Sequence, residues 1–72
     1  MAFGGENAES YYDDGLTAGM KGDIRQAIAC FKKAIELDRE FLGAYHQLGK
    51  CYLRMGDGAK AVEMIKAVVE RN

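Results

Sequence analysis

Two stretches decide the reading of this chain: Lys21-Gly22-Asp23-Ile24-Arg25-Gln26-Ala27-Ile28 and Met55-Gly56-Asp57-Gly58-Ala59-Lys60-Ala61-Val62. Their Gly-Asp pairs stand 34 positions apart. The same offset carries Tyr11 onto Tyr45, Gly15 onto Gly49, Ala27 onto Ala61, Lys32 onto Lys66 and Glu36 onto Glu70. Apolar positions follow it too, with Ile28 on Val62, Phe31 on Ile65, Ala34 on Val68 and Ile35 on Val69. One matched dipeptide would be chance. An offset that moves glycines, small residues and the apolar stripe together is an internal repeat.

Each copy reads as two helices. Ile24, Ala27, Ile28, Phe31, Ala34 and Ile35 follow the i, i+3, i+4, i+7 spacing of one buried face, while Arg25, Gln26, Lys32, Lys33 and Glu36 take the other. Asp23 is placed to cap this helix by accepting from the orphan N–H groups of its first turn. Gly22 supplies the backbone freedom needed to leave the helix before it. The second copy repeats the pattern with Asp57 as cap and Ala61, Val62, Ile65, Val68 and Val69 as stripe. Between them Phe41, Tyr45, Leu48, Gly49 and Tyr52 share one face of a third helix.

The first helix, about Ala8 to Met20, is the weakest of the four. It follows the candidate caps Asn7 and Ser10 but holds Asp13, Asp14, Gly15, Thr17 and Gly19. An interior glycine costs about 1 kcal/mol relative to alanine. Its core face of Ala8, Tyr11, Gly15 and Ala18 is thin, so it is expected to fray or swing more readily than the others. Residues 1–6 are expected to be disordered. With no proline and no Ser/Thr/Pro-rich linker, the expectation is one all-α domain of two units, 7–40 and 41–72.

Composition narrows the function. The 72 residues are 49% hydrophobic and 29% charged, as in a folded chain. Ten Lys and Arg against eleven Asp and Glu, with both signs spread along the sequence, argue against nucleic acid and against a polybasic membrane anchor. No apolar run approaches the roughly 20 residues of a membrane span. The start, Met1-Ala2-Phe3-Gly4-Gly5-Glu6, has no basic segment followed by an apolar stretch, so no secretion signal is expected.

Chemistry has little to work with. Ser10, Thr17 and His46 are each the single residue of their type. His46 and Cys51 are five apart, well off a common helical face, so neither Cys51 nor Cys30 is expected to form a nucleophile–base pair with His46. The cysteines lack C-x-x-C spacing, which argues against a zinc site or a redox pair. Small buried thiols are expected instead, and free thiols suit a reducing cytoplasm. Lys21-Gly22-Asp23 lacks the Gly-Lys-Ser/Thr of a phosphate loop. No cofactor, no metal and no catalysis are expected.

These residues resemble the tetratricopeptide repeat (TPR), a 34-residue helix–turn–helix unit. Its helices carry a small residue midway, an aromatic ahead of it, and Gly-Asp at the turn. Tyr45, Leu48, Gly49, Tyr52, Gly56, Asp57 and Ala61 fit the pattern in one copy; Tyr11, Gly15, Ala18, Gly22, Asp23, Ala27, Phe31, Ala34, Leu37 and Asp38 fit it in the other. The resemblance implies four antiparallel helices in a short α-solenoid. Gly15 is expected opposite Ala27 and Gly49 opposite Ala61, with Tyr11, Phe31, Tyr45 and Tyr52 filling the gaps on either side.

Three departures from the pattern stand out. Asp38-Arg39-Glu40-Phe41 has no proline, so the second and third helices could fuse into one and swap between copies. Asp14 stands where the family has an apolar residue and is expected at a solvated edge. No further helix follows in this sequence to cover Val62, Met64, Ile65 and Val69, which are expected to be partly exposed, either as the cut face of a longer protein or as a surface for self-association.

The resemblance also implies a binding surface. Family members hold peptides along the concave face lined by the first helix of each repeat. Here that face would show Glu9, Tyr12, Asp13, Leu16 and Met20, then His46, Gln47, Lys50, Leu53 and Arg54. Its first half is acidic and its second basic, which suits a peptide of mixed charge with an apolar anchor. The Lys, Asn and Arg with which the co-chaperone branch grips C-terminal carboxylates are replaced by Tyr12, Leu16 and Gln47, so that clamp is not expected. A noncatalytic module for a protein or peptide partner is the expected function, with homo-oligomerisation as the alternative.

Overall fold

The computed structural model describes residues 7–71, and the disorder expected for residues 1–6 lies outside them. Four helices follow in chain order: α1 (Ala8–Met20), α2 (Ile24–Leu37), α3 (Leu42–Arg54) and α4 (Gly58–Arg71). No strand occurs among the described residues. Each helix packs on the next, α1 on α2, α2 on α3 and α3 on α4. Short connections make each neighbour antiparallel, so the chain forms two stacked hairpins.

The Gly-Asp turns are built identically. Gly22 and Gly56 have φ of 84° and 80°, left-handed conformations that a side chain would strain. This bend lets the N–H of Gly22 donate to the Gly19 carbonyl and that of Asp23 to the Ala18 carbonyl, at 3.1 and 2.9 Å. The second turn repeats it, Gly56 donating to Leu53 and Asp57 to Tyr52 at 3.0 and 2.8 Å. Both are Schellman closures that satisfy orphan carbonyls. The aspartates then start the next helix: Asp23 Oδ1 accepts from the Gln26 N–H at 3.3 Å and Asp57 Oδ1 from the Lys60 N–H at 3.2 Å. One dipeptide therefore ends a helix and begins another. Of the two candidate caps of α1, Asn7 performs the role, accepting from the Ser10 N–H at 2.8 Å.

The fusion of α2 and α3 that the missing proline would permit does not occur in this structure; an ordinary short turn separates them. Asp38 leaves the helix with extended backbone, φ −142° and ψ 97°. Its carboxylate accepts from the Glu40 N–H at 3.0 Å and its carbonyl from the Phe41 N–H at 3.1 Å. This aspartate turn breaks the helix without a proline.

Ala18, Ala27, Phe31, Leu48, Cys51, Tyr52 and Ala61 form the core. Ala27 and Ala34 are fully enclosed in α2 and Ala44 in α3. Phe31, 2% exposed, is the large residue closest to complete burial among those described. Tyr11 and Tyr45 are half-buried.

Small residues act differently in the two hairpins. A Cβ placed on Gly49 would lie 3.4 Å from the Met64 Cβ and 3.6 Å from the Ala61 carbonyl oxygen, the expected close approach to Ala61. A Cβ on Gly15 would instead meet the Phe31 ring at 2.6–2.8 Å. The nearest neighbour of Gly15 is thus the Phe31 ring, which stands where the second repeat has the slimmer Ile65.

Candidate functional site

The concave face lies between α1 and α3, which are bridged by one aromatic cluster. Tyr12 of α1 stacks on Phe41, at the start of α3, with ring centroids 4.9 Å apart and planes at 29°. It also meets Phe31 of α2 at 5.6 Å and 59°. Tyr12, on the groove stripe, joins the hairpins through these ring contacts and is half-buried. Its sequence neighbours Glu9 and Asp13 are exposed, as is His46 on α3.

Toward the other end of these helices the face opens into a pocket of about 190 Å³. Leu16, Met20, Gln47, Lys50 and Arg54 line it, so the structure brings together five of the ten residues expected in the groove. Leu53, 58% exposed, is not among the lining residues. Gly15, Gly19, Ile24, Phe31 and Cys51 line it as well. The sequence reading places Gly15, Ile24 and Phe31 in the core and Cys51 as a buried thiol, so their share in the pocket is a finding of the structure. The signal that could have found the opening is Gly19 beside Met20: a Cβ on Gly19 would meet nothing within 4 Å, so that side of the helix stays open.

Electrostatics activate neither cysteine. Both thiols are buried. Burial pushes the Cys51 thiol up from its ordinary value, against the smaller pull of Arg54 and Lys50. Burial likewise raises Cys30, with Asp14 and Asp23 adding to it and a 3.6 Å hydrogen bond donated by Gln26 Nε2 opposing it. A reactive thiolate needs the reverse shift. No group of three or more His, Cys, Asp and Glu could hold a metal ion among the described residues.

The second candidate surface is α4. Val62, Ile65 and Val69 are 56%, 47% and 64% exposed, whereas the equivalent Ile28, Phe31 and Ile35 of α2 pack into the core. Met64 is partly exposed as expected, and its buried part packs against the core over Gly49, on the α3-facing side of the helix. Asp14 is exposed, at the solvated edge expected of it.

Comparison with known proteins decides the family. The tetratricopeptide repeat family model matches residues 20–72, well over half of the chain. The chain belongs to the TPR family. An uncharacterized protein of Methanocaldococcus jannaschii is 34% identical, over 68% of this chain and 72% of that protein. Two crystal structures of MamA superpose with TM-scores of 0.89 and 0.88 at 32% identity over 92% of this chain. The chain spans 39% and 36% of those two chains, well under half of their length. TPR membership and this likeness make the chain, in general terms, a protein-interaction module. Among the described residues no helix is long and apolar enough to cross a membrane.

Proposed function

We propose that this TPR pair is a noncatalytic module that holds a segment of a partner protein in the groove between α1 and α3. The observation that carries this is the pocket, where apolar side chains from α1 and α2 meet the polar and cationic side chains of α3. Apolar surface supplies affinity and the charged rim supplies register, the usual division of labour in an interface. Glu9, Tyr12, Asp13 and His46 extend the surface toward the other end of the same helices. Selection from a displayed random-peptide library tests the reading. Selected peptides should lose affinity for a Leu16→Asp variant and keep it for Val62→Asp; the opposite pattern would place binding elsewhere.

A second reading rests on a separate observation, the exposed Val62, Ile65 and Val69 stripe on α4. Apolar side chains aligned on one helical face are a surface for self-association. Sedimentation at two concentrations tests it: a shift from monomer to a larger species supports it, and a concentration-independent monomer ends it.

A further inference from the structure

We propose that the pocket between Leu16, Met20 and Arg54 is a subsite for an aromatic side chain flanked, in the same peptide, by carboxylates. This deepens the groove reading and rests on it. The pocket measures about 190 Å³, and an apolar cavity of about 150 Å³ suffices for a benzene ring. Leu16, Met20 and Ile24 give it apolar walls over the Phe31 ring, and Gly19 leaves one side without a side chain. A phenyl group entering there meets the apolar and ring-edge contacts that aromatics favour.

The rim fixes what lies beside that ring. Lys50 and Arg54, four apart on α3, stand on one helical stripe and are both exposed. Neither forms an ion pair among the described residues. None of the three carboxylates of α1, Glu9, Asp13 and Asp14, lines the pocket, so the local field is positive where the ring enters. Half-buried Gln47 adds an amide that can both donate and accept. The complementary peptide is therefore acidic on either side of its anchor.

Three capped pentapeptides test this by amide-shift titration of the ¹⁵N-labelled chain: Glu-Glu-Phe-Glu-Glu, the same with Ala for Phe, and the same with Lys for every Glu. The first should shift Gly19, Gln47 and Cys51. The Ala peptide should bind about tenfold more weakly for want of the buried ring. The Lys peptide should bind roughly fivefold more weakly, as partly exposed charge pairs allow. In a Lys50→Glu/Arg54→Glu variant, altered only at exposed positions, the Glu and Lys peptides should exchange rank. Equal binding of all three within the groove overturns the subsite and leaves the groove standing. Shifts confined to α4 overturn both, and no shift at millimolar peptide overturns the subsite.

Discussion

Gly15 has no room for a methyl group, because the Phe31 ring would lie 2.6–2.8 Å from it. Gly15→Ala is therefore expected to lower stability by about 1–3 kcal/mol through overpacking, despite alanine's better helix propensity. Gly19→Ala, which meets nothing, should instead raise stability by about 0.5 kcal/mol. Urea melts of the two variants check the pair, and equal effects would contradict the packing described. Ala27→Leu and Ala61→Leu, at positions 0% and 1% exposed, should each cost about 1–3 kcal/mol by the same mechanism. The thiols give a pH dependence. Burial holds both in the neutral form in the fold, so the folded chain keeps protons that the unfolded chain releases above the ordinary thiol value of 9.0. Their contribution is fully present below that value and is lost as pH rises through the folded-state values. A Cys30→Ala/Cys51→Ala variant should show a shallower alkaline decline than the native chain. The need for small residues was legible in the sequence from the 34-residue offset. The Gly49–Ala61 approach was legible as well, but the crowding of Gly15 by the Phe31 ring was not, since it depends on how that ring, in place of Ile65, packs across the helix pair.

Among the elements, each Gly-Asp turn makes the aspartate close one helix through its N–H and open the next through its carboxylate. Asp23→Ala and Asp57→Ala should each cost about 1 kcal/mol, the usual value of an N-cap. The Schellman bonds should survive in both, because they use backbone only; thermal melts and amide exchange at residues 22–23 and 56–57 check the two halves of this statement. Both turns were legible in the sequence, since Gly and Asp have distinct backbone preferences. A break after Asp38 was legible too, as the boundary between the two units, but its mechanism was not: without proline the segment 38–41 permits helix, and what stops it is the Glu40 N–H donating to the Asp38 carboxylate. Burial also ranks the helices. The buried residues of α2 and α3 include Phe31, Leu48 and Tyr52, whereas those of α1 are Gly15 and Ala18. Amides of α2 and α3 should outlast those of α1 in hydrogen exchange, and longer protection in α1 would contradict this packing.

For the whole molecule, the two ends of the stack are chemically unlike. Ser10, Asp14 and Thr17 stand on α1 where α3 has the buried Ala44, Leu48 and Cys51, one repeat apart. The α4 end shows Val62, Ile65 and Val69. A head-to-tail array of copies would press Asp14 against that apolar stripe, and burying an unpaired carboxylate is costly. Self-association through α4 should therefore close as a dimer, as a surface that pairs with itself does. Sedimentation equilibrium should show no species above a dimer; a ladder of larger ones would contradict this. The groove was legible as a face and less so as a site. Helical spacing picks out Leu16, Met20, Lys50 and Arg54, but Tyr12 also lies on that stripe and is engaged by Phe41, a contact between hairpins that no periodicity reports. The most direct measurement is amide-shift mapping of the ¹⁵N-labelled chain with a peptide taken from the display selection. Shifts should centre on Leu16, Met20, Gln47 and Lys50; shifts confined to Val62, Ile65 and Val69 would contradict a binding groove between α1 and α3.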